Sequence, residues 1–188
     1  FLLYNATGYS DTVTFTFTVG SASITDPVGP DAYGYYCYDD GDVDYYNVPV
    51  YDWVEISGIG TNLNLSDPGE TGAVTTITGL PISFYFYGIE YDALSICSNG
   101  WVAPGITGNT SFMNWEIPGP LGPSPQIAVF WDDLITSTGG VYYYYDSVQH
   151  YVVVEWSNLK SEYNDSFLET FEVIIYDSNF YPMATGDS

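Results

Sequence analysis

Apolar residues recur along this chain with a period of two, in short runs broken by glycine, proline, asparagine and aspartate, and no ten-residue window carries a helical period. Residues 12–19 set the pattern. Val13, Phe15, Phe17 and Val19 fall on one face and four threonines on the other, which is the signature of a half-buried strand. Further strands are expected at 33–38, 51–57, 73–78, 82–87, 91–96, 126–132, 140–146, 150–157 and 168–177. Gly58-Ile59-Gly60, Asp67-Pro68-Gly69, Asn99-Gly100 and Gly139-Gly140 supply turns between them. Ser147-Val148-Gln149 joins one hairpin, and Gly88-Ile89-Glu90 joins another. Val152, Val154 and Trp156 share a face, as do Phe171, Val173 and Ile175. The expectation is an all-β antiparallel sandwich, of jelly-roll or immunoglobulin-like type.

The 188 residues, 46% of them hydrophobic, suffice for one such domain with an arm. Residues 1–20 read as an N-terminal strand arm, residues 21–32 as a linker marked by Asp26-Pro27 and Gly29-Pro30, and residues 33–188 as the sandwich. The stretch Pro118–Pro125 is a surface connection, because proline cannot donate to a strand ladder. Phe1-Leu2-Leu3-Tyr4 is too short for a signal peptide or a membrane span, and the abrupt ends point to a piece of a longer precursor.

Twenty-four Asp and Glu stand against Lys160 alone, for a formal net charge of -23. Nucleic acid and anionic membrane surfaces are excluded as partners, because both require Lys and Arg. Phosphate-handling chemistry lacks its basic clamp. Charged residues make up only 13% of a chain rich in Tyr, Thr, Ser and Gly, which fits an extracellular or cell-surface location. Cys37 and Cys97 form no CxxC pair. An even count in a secreted chain points to a disulfide, worth roughly 4 kcal/mol for a loop of about 60 residues; two buried thiols in strands are the other reading.

Six segments carry a family resemblance: YGYYCYDD at 33–40, YDWVEI at 51–56, LPISFYFYG at 80–88, SICSNGWVA at 95–103, IAVFWDDL at 127–134 and VVVEWSNL at 152–159. Together they resemble the nidogen-like β-sandwich region of large secreted bacterial proteins. Some of those proteins are gingipain-like cysteine peptidases in which this region lies outside the catalytic domain. The resemblance implies a non-catalytic extracellular module, transfers no catalytic residue, and adds support for the Cys37–Cys97 disulfide. The chain departs from the pattern at both ends: the strand at 11–19 has no preceding domain to close, and the sandwich stops at Ser188 where relatives continue.

Among candidate sites, Asp39, Asp40, Asp42 and Asp44 form an acidic run whose alternating carboxylates at 40, 42 and 44 converge on calcium if the loop curls. A solvated acidic loop is the alternative, and no other cofactor is called for. Asp132 and Asp133 point to opposite faces as strand neighbours and do not make an acid–base pair. His150 and Lys160 have no partner pattern for catalysis. Sequons at Asn5, Asn64, Asn109 and Asn164 are candidate glycosylation sites. Tyr142–Tyr145 place one tyrosine pair in the core and one outside, where a glycan could stack.

The functional expectation is a structural module that assembles with itself into a fibre or surface layer. Strand addition through Val13, Phe15, Phe17 and Val19 would pair an otherwise hazardous exposed strand. An accessory domain of a larger secreted peptidase-like protein, or a carbohydrate- or surface-binding adhesin module, is the alternative.

Overall fold

The structure is a computed structural model and describes residues 2–4, 10–12, 26–46 and 48–181. It forms two compact units, Phe1–Tyr51 and Asp52–Ser188.

In the first unit β1 (Leu2–Tyr4) pairs antiparallel with β2 (Ser10–Thr12), Leu2 opposite Thr12. Val13, Phe15, Phe17 and Val19 of the expected assembly strand lie outside the described residues. The strand expected at 33–38 is reduced to one bridge, in which Val28 and Cys37 exchange N–H bonds of 2.9 and 2.7 Å. The cause is local. The Asp31 carboxylate accepts from the N–H groups of Tyr33, Gly34 and Tyr35, holding them in a turn.

The second unit contains β3 (Thr61–Asn62), β4 (Val74–Thr78), β5 (Phe84–Phe86), β6 (Ile89–Tyr91), β7 (Ala93–Cys97) and β8 (Trp101–Pro104). It continues with β9 (Ile127–Ala128), β10 (Leu134–Ile135), β11 (Gly140–Asp146), β12 (Tyr151–Ser161) and β13 (Asn164–Tyr176). One sheet runs β10-β12-β11-β3 with β13 on β12; a second runs β4-β7-β8-β9; β5 and β6 form a hairpin. All these strand pairs are antiparallel.

Alternation decides the layers. Val152, Val154 and Trp156 of β12, with Val141 of β11, meet Leu94 and Ile96 of β7 and Val102 of β8 in one core, all fully buried. Phe171, Val173 and Ile175 of β13 join from the same face. Each such aliphatic side chain contributes roughly 1.5–3 kcal/mol by leaving water. The fold is therefore an all-β sandwich. The opposite face of the second sheet is also covered: Cys97, Trp101, Ala103 and Trp131 form a second core cluster.

This second cluster bears on the cysteines. Both cysteines are free thiols in this structure. Cys97 is sealed among Trp101, Ala103 and Trp131, and burial pushes its thiol up to about 12. Cys37 is exposed in the other unit.

Several strand limits differ from expectation for identifiable reasons. The β5–β6 hairpin turns at Tyr87-Gly88, not at 88–90, because both residues adopt positive φ (49° and 71°), the requirement of a tight two-residue hairpin turn. The strand expected at 126–132 shrinks to β9 because the N–H groups of Val129 and Phe130 both donate to the Gly100 carbonyl. Residues 51–57 form no strand. The N–H groups of Val54 and Ile56 donate instead to the carboxylates of Glu172 and Glu155.

Candidate functional site

Two carboxylates of the acidic run turn inward on its own backbone. Asp39 Oδ1 accepts from the Gly41 N–H (2.7 Å), and Asp42 Oδ2 accepts from the Asp39 N–H (2.8 Å). Asp42 is buried, while Asp40 and Asp44 are exposed. Among the described residues no three His, Cys, Asp or Glu side chains gather as a metal site. Of the four residues expected to hold calcium, Asp39 and Asp42 use a carboxylate oxygen to hold the turn, while Asp40 and Asp44 are exposed.

The SNGW and FWDDL segments meet in a polar joint built around Asp67, a residue the sequence did not single out. Asp67 Oδ1 accepts from the N–H groups of Gly69 and Gly72 at 3.0 and 3.2 Å, and Oδ2 accepts from the Ser98 hydroxyl at 2.6 Å. Asn99 Oδ1 accepts from the Leu134 N–H (3.0 Å), and its amide donates to the Thr110 carbonyl (3.2 Å). Asp132 accepts from the Asp133 N–H and the Ser161 hydroxyl. Asp133 accepts from the Glu70 N–H through Oδ1, while its Oδ2 is buried without a partner. Burial raises the Asp133 carboxyl above the usual range, and nearby Asp67, Glu162 and Asp132 add to the rise. These acids brace loops. For Asp67 itself, the sequence signal was the Asp67-Pro68-Gly69 turn.

The remaining sequence candidates are scattered. Asn64 is exposed and holds its own turn at φ 53°, with its side-chain amide donating to the Asn62 carbonyl. Asn109 is half-buried, and its Oδ1 accepts from the Ser111 N–H. Asn164 opens β13 opposite Ser161, and Asn5 lies outside the described residues. The His150 ring stacks on Phe180 at 3.3 Å. Lys160 sits on β12 opposite Ile135. Tyr143 and Tyr145 pack on the core, and Tyr142 and Tyr144 are half-buried.

Two surfaces stand out. The first is the outer edge of β13. This strand has thirteen residues and pairs with β12, and no other described strand pairs with it. It carries exposed Phe167 (68%), Leu168 (50%) and Tyr176 (47%). Proline, lysine and bulges are the usual protections of an edge. This strand contains neither proline nor lysine, while its pairing with β12 shifts register between Trp156 and Ser161. The second is an apolar groove of about 580 Å3 between the β5–β6 hairpin and the proline-rich connection, lined by Phe86, Tyr87, Tyr91, Pro118, Leu121 and Pro123 among others.

No curated protein and no solved structure matches the chain. A family model described as NIDO related matches residues 51–180, taking in the sandwich from the Val54–Ile56 segment through β13. Domains of this kind are non-catalytic modules, typically of extracellular proteins. The chain belongs to the NIDO-related family.

Proposed function

We propose that this chain is a structural module that assembles with copies of itself by strand addition, the run Val13, Phe15, Phe17 and Val19 of one copy pairing with the outer edge of β13 in the next. The observation that carries the reading is that edge: thirteen residues, one described neighbour and exposed Phe167 and Leu168. Unpaired N–H and C=O groups along it recruit another strand. The run at 12–19 suits the role, being uncharged and alternating. A donor from one copy to the next is a head-to-tail contact, which propagates as a filament when it does not close.

Electron microscopy of the purified chain tests the proposal. Filaments are expected from the natural sequence. They should be lost in the double substitution Phe15→Asp, Phe17→Asp and in Phe167→Lys, and a peptide of residues 10–20 should cap their growth. Monomers at micromolar concentration, or filaments indifferent to all three, would overturn it. The groove beside Phe86, Tyr87 and Tyr91 favours a second reading, a glycan- or surface-binding adhesin. A glycan array that lights up with the natural chain and goes dark with Tyr87→Ala would establish it.

A further inference from the structure

Glu155 on β12 and Glu172 on β13 stand directly opposite each other in the strand register. Cross-strand partners on one face lie within side-chain contact, and like charges there repel. Residues 52–57 run over this pair as a strap. Glu172 Oε1 accepts from the Val54 N–H at 3.1 Å, and Glu155 Oε2 accepts from the Ile56 N–H at 2.8 Å. Each carboxyl therefore has one oxygen engaged with the strap and one left over. Both leftover atoms, Glu155 Oε1 and Glu172 Oε2, are buried and without a partner. Glu155 and Ile56 are fully buried.

Two ionised carboxylates in this place would be costly, because buried anions need a counter-charge or donors. Beyond the two strap N–H groups, the groups named around the pair bring no positive charge. Glu55 and Asp52 come from the strap, Tyr142 of β11 stands opposite Glu155, and Tyr151 and Tyr176 face each other where β12 and β13 meet. The whole chain has one Lys and no Arg. One proton resolves the problem. A proton on Glu172 Oε2 donated to Glu155 Oε1 would satisfy both orphans and leave the two strap bonds intact.

We propose that Glu155 and Glu172 share one proton in the folded protein and thereby form an acid-closed latch that clamps residues 52–57 to the sheet. The direction of titration agrees. Burial, first, and then Glu155, Glu55 and Asp52 raise the Glu172 carboxyl above its ordinary value. A group whose folded value is raised holds its proton more tightly when folded. The latch is therefore fully closed below the ordinary glutamate value and is lost as pH rises through the raised folded value. Residues 52–57 open the second unit, so alkalinity frees that segment from the sheet.

Hydrogen exchange at the Val54 and Ile56 amides, corrected for intrinsic rate and followed from about pH 5 to about pH 9, reads the latch directly. Protection should fall by up to about tenfold per pH unit between the ordinary glutamate value and the raised folded value, and level off above it. Glu172→Gln supplies an acceptor for Val54 and a permanent donor for Glu155, so its protection should be flat with pH. Glu155→Gln should behave alike, which guards against a folding defect in either variant. Infrared spectra should show a protonated carboxyl band in the natural protein that titrates away with the protection and is missing from Glu172→Gln. The latch is overturned if natural protection does not vary with pH, if Glu172→Gln keeps the natural slope, or if calcium at high pH restores protection in place of the proton.

Discussion

Trp101 and Trp131 donate their indole N–H groups to the same carbonyl oxygen, that of Ser111, each at 2.9 Å. One indole comes from β8 and the other from the FWDDL segment, so the shared acceptor pins residues 106–131 over the outer face of the second sheet. Replacing Trp131 by Phe removes one donor and leaves the other; the expected loss is about 1 kcal/mol. Trp131→Ala also opens a cavity over Cys97, and about 3–5 kcal/mol should go. Urea unfolding of the two variants measures both steps, and equal losses would mean that the hydrogen bond, not the packing, holds the cover.

Ser98 closes the Asp67 joint. Its hydroxyl donates to Asp67 Oδ2 and accepts from the Ala73 N–H at 2.8 Å. Ser98→Ala strands a buried carboxylate oxygen and a backbone donor together, and the expected cost is about 1–3 kcal/mol for each group left unsatisfied. Thermal unfolding should show a large fall in Tm for Ser98→Ala and a smaller one for Ser98→Thr, which keeps the hydroxyl.

Gly100 ends the β7–β8 turn at φ +76°, and a Cβ there would overlap the Phe130 carbonyl oxygen. Alanine meets the left-handed backbone cost of about 1–3 kcal/mol and an overlap that only backbone movement relieves. The Val129 and Phe130 N–H bonds to Gly100 should break first. Amide exchange at those two positions should therefore quicken in Gly100→Ala ahead of the core strands.

How legible this was in advance follows from which forces were local. The Gly140–Asp146 strand and its partner were plain because alternation, turn residues and burial all agree there, and Val152, Val154 and Trp156 face the core as their spacing required. The strand expected at 51–57 failed because the donors of Val54 and Ile56 are claimed by Glu172 and Glu155, more than a hundred and about a hundred residues away, and no local pattern reports such a partner. The disulfide expectation rested on cysteine arithmetic and on the family resemblance, and neither reports the tryptophans that enclose Cys97. Asp67 was read as part of a turn, which it is. Its acceptance from Ser98, thirty-one positions on, is a tertiary fact.

Asp133 supplies a pH test independent of the strap. Its raised carboxyl, driven first by burial, binds a proton more tightly in the folded state than in the unfolded one. Its contribution is fully present below the ordinary aspartate value and is lost as pH rises through the folded value. Asp133→Asn keeps the acceptor for the Glu70 N–H and removes the charge. The Tm difference between Asp133→Asn and the natural protein should thus grow in the variant's favour from acid to neutral pH. A difference that stays constant would mean that the orphan Oδ2 is ionised at no cost.

The two thiols should separate cleanly by reactivity. The thiolate is the reactive form, and burial pushes Cys97 up to about 12 while also sealing it. Cys37 is exposed. A maleimide or iodoacetamide label at mildly alkaline pH should therefore modify Cys37 in the folded protein and Cys97 only after denaturant is added, without any reductant. Mass spectrometry of the labelled peptides reads the outcome. If neither residue reacts until a reductant is present, the two are joined in solution and the free-thiol arrangement is wrong. If Cys97 reacts as fast as Cys37, the cover formed by Trp101 and Trp131 opens readily, and the Ser111 carbonyl is a weak clasp.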